Sequence, residues 1–195
     1  MRAPARLLRI AGVLICWLPQ LVAAQAVAPS ELMRLLASAE SSRATFVETR
    51  HSVLLKAPLV LHGTLAYRRP DRLEKHVLQP HDERLVLEGD RLTIDNRTRA
   101  RKLTTSVAGS PAIAAMAEGI RATRAGDLAA LERHFEIKVD GRREAWSMSL
   151  RPTSEQVSGY VSAIVVTGAG SRITRFEVQE TSGDRVVTEI REEIR

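Results

Sequence analysis

Only one cysteine, Cys16, occurs in the 195 residues of the chain. It falls in a segment that reads as a cleaved leader. The remaining chain therefore has no disulfide to hold it and no thiol nucleophile. Beyond that leader no apolar run is long enough to span a bilayer. The histidines His51, His62, His76, His81 and His134 form no His-x-His or His-Glu-x-x-His pair. Zinc chemistry has no ligand set of that kind to use. A Gly-x-Ser-x-Gly nucleophile elbow is also missing. Gly168-Ala169-Gly170-Ser171 lies between strand-like segments with no helix after it, so it is not a phosphate loop. The carboxylates mostly stand beside basic neighbours, as in Asp82-Glu83-Arg84 and Arg191-Glu192-Glu193. These absences lead to the expectation of a protein that is not an enzyme and uses no cofactor or metal.

The start of the chain sets the compartment. Arg2, Arg6 and Arg9 form a basic region, and residues 10–17 form a short apolar core. Val22-Ala23-Ala24 and Ala24-Gln25-Ala26 both suit signal peptidase, so residues 1–24 read as a signal peptide cleaved after Ala24 or Ala26. Val13-Leu14-Ile15 lacks the small residue that a lipobox places before cysteine, so no permanent membrane anchor is expected at Cys16. The leader takes three of the 29 basic residues and none of the 23 acidic ones, leaving a balance of +3. That balance fits mild attraction to anionic surfaces, not nucleic-acid binding. Many alanines and arginines suggest a GC-rich bacterial source, and the periplasm as the location. With no internal repeat or low-complexity linker, residues 25–195 read as one domain.

Pro29-Ser30 opens a helix, with Ser30 as the expected N-cap and Leu32, Leu35, Leu36 and Ala39 at helical spacing. Strand-like alternation follows at 45–55, 60–68, 72–78, 84–87 and 91–95, with Glu88-Gly89-Asp90 as a hairpin turn. Ser110-Pro111 starts a helix over 112–122, with Ile113, Met116, Ala117 and Ile120 on one stripe. Gly126-Asp127 breaks it and caps a second helix over 128–134. Strands return at 135–139, 145–150, 160–166, 173–179 and 185–190. Ten or eleven strands with short turns form one highly curved antiparallel sheet, giving an α+β fold. Such a curve leaves more interior than its own side chains fill. Helices over it create a hydrophobic cavity with a helical lid, suited to an acyl chain.

Three local features carry particular weight. Leu65, Tyr67 and Arg69 share a strand face that ends at Pro70, so Arg69 sits either at a cavity mouth or at a strand end reaching water. Lys75 lies between Leu73 and Val77. If it faces inward it needs a counter-charge, a ligand head group or a route to the rim. The run Arg97-Thr98-Arg99-Ala100-Arg101-Lys102, read as a strand, puts three arginines on one face. It is either a charged, solvated edge or a docking surface for an anionic membrane or acidic partner.

The chain resembles the outer-membrane lipoprotein carrier family, LolA, and its shorter LolA-related branch. The resemblance begins at Ser41-Ser42-Arg43-Ala44-Thr45-Phe46-Val47-Glu48-Thr49. It is strongest over Gly63-Thr64-Leu65-Ala66-Tyr67-Arg68-Arg69-Pro70-Asp71, Gln79-Pro80 and Leu85-Val86-Leu87-Glu88-Gly89-Asp90. It continues at Ser110-Pro111, Trp146-Ser147-Met148-Ser149-Leu150-Arg151-Pro152, residues 173–180 and Ser182-Gly183-Asp184. The resemblance implies an incomplete, highly curved barrel closed by helices. It also implies a periplasmic shuttle taking acylated cargo from an inner-membrane donor to an outer-membrane acceptor protein. Arg69 matches the family's lid-latching arginine before proline. The expected cavity residues are Phe46, Leu65, Tyr67, Leu73, Val77, Ile113, Met116, Ile120, Trp146 and Met148. Leu73 and Lys75 stand where the family has aromatics, and the usual C-terminal extension is missing after Arg195. The cargo is therefore left open among lipid, glycolipid and lipoprotein. The rival expectation is a non-carrying periplasmic interaction or scaffold module.

Overall fold

The computed structural model describes residues 26–38, 41–109 and 111–192, without the side chains of residues 111–113, 115, 116 and 192. The expected leader with Cys16 and Ala24, and the expected cap Ser110, lie outside the described residues. Among the described residues no helix is long and apolar enough to cross a membrane.

Helix α1 (Pro29–Ala37) buries Leu32, Met33 and Leu36. Its N-cap is Ala28, which makes no side-chain cap. Ser30 lies inside the helix instead, because Pro29, with its fixed φ, takes the first helical turn. Six strands follow: β1 (Ser41–His51), β2 (Leu59–Arg68), β3 (Arg72–Gln79), β4 (Glu83–Glu88), β5 (Arg91–Asn96) and β6 (Arg101–Ser106). Helices α2 (Pro111–Ala125) and α3 (Leu128–Glu132) interrupt the strands. The chain then forms β7 (Phe135–Arg142), β8 (Ala145–Pro152), the short helix α4 (Glu155–Ser158), β9 (Val161–Ala169), β10 (Arg172–Glu180) and β11 (Arg185–Glu192).

All eleven strands make one antiparallel sheet in the order β6-β5-β4-β3-β2-β1-β11-β10-β9-β8-β7. Two meanders thus join where β1 pairs with β11, and β6 and β7 remain as open edges. This is the incomplete, curved barrel expected. Bulges help bend it. The register shifts between His62 and Gly63 on β2, and between Ile173 and Arg175 on β10. A bulge adds a residue to one strand and increases local twist. Gly63 is required at its bend, since a Cβ there would lie 2.0 Å from the His76 carbonyl oxygen.

The basic run does not form a strand. Arg97 N–H donates to the Asp82 carbonyl at 2.9 Å, and Arg99 N–H donates to Asn96 Oδ1 at 2.9 Å. These bonds fold residues 97–100 into the turn before β6, so Arg97, Arg99 and Arg101 do not share a strand face. The other end of the sheet carries a second exposed tip. In the β1–β2 loop Val53 is 81% and Leu54 89% exposed.

Packing differs between the two halves. Under β7–β11, helices α1, α3 and α4 fill a continuous core that includes Leu36, Leu131, Phe135, Met148, Leu150, Val157, Ile164 and Val166. Under β1–β6 the buried clusters are small, one around Phe46, Leu61 and Val77 and one around Leu87, Val107 and Ala117. The space between them is the site.

Candidate ligand-binding cavity

Pleating brings alternate residues of neighbouring strands into inward rows. One row runs Ser42, Tyr67, Leu73, Leu87 and Leu92 across β1 to β5. The next runs Ala44, Leu65, Lys75 and Leu85. From the other half come Thr188 and Ile190 on β11, Phe176 and Ile173 on β10, and Val166 on β9. Helix α2 closes the space with Ile120, Thr123 and Arg124. The cavity holds about 310 Å³, the lower end of the range for ligand pockets. Its wall is almost entirely carbon.

Two arginines fasten α2 over the cavity. Arg124 donates from Nη2 to Ser42 Oγ at 2.9 Å and lies 5.4 Å from the centroid of the Tyr67 ring. Arg121 donates from Nη1 to the Gly89 carbonyl at 2.7 Å. At the foot of α2, Gly126 has φ of +70° and passes so close to α1 that a Cβ would meet the Met33 carbonyl oxygen at 2.1 Å. Asp127 then caps α3 by accepting from Ala130 N–H at 3.0 Å. The three helices therefore form one packed lid.

One polar cluster interrupts the apolar wall. The Glu48 carboxylate is buried and accepts from Lys75 Nζ, from Arg50 Nε at 2.8 Å and from Thr188 Oγ1 at 3.0 Å. The Lys75 ammonium also lies 5.1 Å from the centroid of the Phe46 ring. Burial by itself would raise the Glu48 carboxyl, but Lys75 and Arg50 outweigh it and hold the group below the ordinary carboxylate value. Burial is the larger influence on Lys75 and lowers its ammonium, with Glu48 offsetting only part. The asymmetry follows from the partners: the carboxylate has three donors, the ammonium one acceptor. Among the described residues, no group of three His, Cys, Asp or Glu side chains is placed to hold a metal ion.

A model of the family described as outer membrane lipoprotein carrier protein LolA-like matches residues 21–191. The chain belongs to this LolA-like family. No curated protein sequence matches it. Among solved structures, an uncharacterised conserved protein from Thermus thermophilus is similar with a TM-score of 0.51 at 11% identity, covering 83% of each chain. A LolA superfamily protein from Nitrosomonas europaea has a TM-score of 0.48 at 10% identity, covering 87% of this chain and 94% of that one.

Within the LolA-like sheet the sequence-predicted residues fall in distinct places. Leu65, Tyr67, Leu73 and Ile120 line the cavity. Phe46 and Val77 pack with Leu61 in the small buried cluster beside it, with Leu65 against them. Trp146 and Met148 lie in the large core, where Trp146 Nε1 donates to the Gly170 carbonyl at 2.9 Å. The side chains of Ile113 and Met116 lie outside the described residues. Arg69 sits one residue past the end of β2 and is exposed. Its guanidinium donates to the Ala37 carbonyl at the C-terminal end of α1, so it joins the sheet to the lid through α1, not α2.

The sequence reading passed over Arg124, Arg121 and Glu48. A signal existed for two of them. Arg124 continues the stripe Ile113, Ala117, Ile120 by one more turn, and Glu48 continues the inward alternation Ser42, Ala44, Phe46.

Proposed function

We propose that this LolA-like chain is a periplasmic carrier that encloses acyl chains of a lipid, glycolipid or lipoprotein in the cavity. It then passes its cargo from an inner-membrane donor to an outer-membrane acceptor protein, without catalysis. The observation that carries the reading is the apolar cavity of about 310 Å³ left between a half-filled sheet and a fastened helix. An ordinary globular core would fill that space, because empty apolar volume costs stability. Burying methylene groups there contributes roughly 0.8 kcal/mol each. In this reading Arg69 is a latch that holds α1, and with it the lid, against the sheet. Leu65, Tyr67, Leu73 and Ile120 contact the cargo directly. Phe46, Val77, Trp146 and Met148 shape the wall from behind, and Ile113 and Met116 extend the lid's apolar stripe.

The test is titration with an apolar fluorescent probe. Wild-type protein should bind it, and Ile120→Asp, which sets a carboxylate on the cavity wall, should weaken binding at least about tenfold. Equal affinity in a folded variant would remove the cavity from the account. A non-carrying interaction module is the second reading, and one observation favours it. Every residue of edge strand β6 is exposed, Leu103 to 57%, so its backbone is open to strand addition. Failure of wild-type protein to bind any apolar probe would favour that reading.

A further inference from the structure

A wall made almost wholly of carbon has no need of an ammonium. Lys75 stands in the inward row between Leu65 and Leu85, and its side chain lines the cavity with 23% of its surface still accessible. A purely structural role is hard to assign to it. Glu48 already accepts from Arg50 and Thr188. An apolar residue at position 75 would match the rest of the row. A buried ion pair is often no more stabilising than apolar side chains of similar volume. Lys75 thus incurs a desolvation cost that nothing in the fold requires.

The donor count shows what is left over. An ammonium has three N–H donors. Among the described residues Lys75 spends one on Glu48 and sets its charge over the Phe46 ring. The Glu48 oxygens, by contrast, already serve three donors. The cluster therefore offers the cavity donors without acceptors, on a cation. The other ionised groups nearby are Arg50 and Glu83. Glu83 is engaged by Asn96 Nδ2 at 2.8 Å, and its side chain is only a quarter exposed. Thr188 donates its hydroxyl to Glu48.

We propose that Lys75 is the anchor of a carboxylate subsite inside the cavity, and that the ligand is an amphiphile whose apolar chain ends in, or carries, a carboxylate. The carboxylate accepts from the Lys75 ammonium, and the chain extends past Leu73 and Leu87 under Ile120 of α2. Neutral acyl esters fill the same apolar space without this anchor. The inference rests on the carrier reading above and narrows its cargo.

The experiment is fluorescence titration of the purified protein with cis-parinaric acid and, separately, with its methyl ester. The two probes share one chain and differ only in the charged head. Wild-type protein should bind the acid about tenfold more tightly than the ester, or better, as expected for one charge-assisted hydrogen bond out of water. Lys75→Met should lose that preference while keeping its affinity for the ester. Lys75→Met combined with Glu48→Gln avoids leaving Glu48 without its lysine, and should behave the same way if the single variant fails to fold. Equal binding of acid and ester by wild-type protein would overturn the subsite and leave the carrier reading intact. So would an acid preference that survives in either variant. Binding of neither probe would overturn the carrier reading itself.

Discussion

Replacing Arg121 and Arg124 together by methionine should unfasten α2 while leaving the sheet folded. Methionine keeps an unbranched apolar stem of similar length, so packing along the helix is largely retained. What is lost is the hydrogen bond from Arg124 to Ser42 Oγ, the cation–π contact with Tyr67, and the hydrogen bond from Arg121 to the Gly89 carbonyl. Hydrogen bonds from a charged donor contribute about 1.5–3 kcal/mol each, and a partly desolvated cation–π contact about 0.5–2 kcal/mol. The two arginines together therefore favour the fastened lid by about 3–6 kcal/mol. At about 1.4 kcal/mol per tenfold, the population of the unfastened helix rises at least about a hundredfold. Amide hydrogen exchange followed by mass spectrometry reads this directly. Peptides from 111–125 should lose protection by about that factor, while peptides from β8 to β10, which belong to the separate filled core, should not change. Release of an apolar probe should accelerate in the same variant. Undiminished protection of α2 would refute the assignment of these arginines as the fastening. Loss of protection across the whole sheet would show that the lid and the core are not separable.

Two further outcomes follow from other contacts. Arg69→Leu removes the bond to the Ala37 carbonyl and should leave the fold and cargo uptake intact while changing the rate of cargo release; wild-type rates of both uptake and release would end the latch assignment. Glu48, held below its ordinary value of 4.5, contributes stability that is full above that value and is lost as pH falls through the lower folded-state value. In urea unfolding from about pH 7 to about pH 3, Glu48→Gln should cost about 3 kcal/mol at the neutral end. The variant should lose less stability than wild type on acidification, and parallel pH curves would contradict the assignment.

Much of the fold was readable because period-2 alternation and turn residues act locally. The Glu88-Gly89-Asp90 hairpin formed as expected, with Gly89 at φ of 56°, and Pro111 begins α2. The basic run misled because its alternation is strand-like, whereas its outcome depends on the Asp82 carbonyl and the Asn96 side chain reaching it from neighbouring elements. Arg69 shows the same limit. Alternation correctly turned Leu65 and Tyr67 inward, but the direction of Arg69 depends on where α1 docks, a contact 32 residues away in sequence. Period alone also assigns a residue to the concave face without saying which half of that face is filled. Trp146 and Leu73 are both inward-facing. One meets the core built with α1, α3 and α4, and the other meets the open cavity. Lys75 was noticeable as a charge among apolar neighbours, yet its partner Glu48 becomes visible only when β1, β2 and β3 are set side by side.

The measurement that bears most directly on the carrier account is native mass spectrometry of the protein purified from the periplasm of its own cells. The account predicts a population heavier than the mature chain by the mass of an acylated amphiphile, released as an identifiable lipid or acyl species on denaturation, and diminished in Ile120→Asp. A single unliganded mass, unchanged after incubation with membrane lipids, would contradict it.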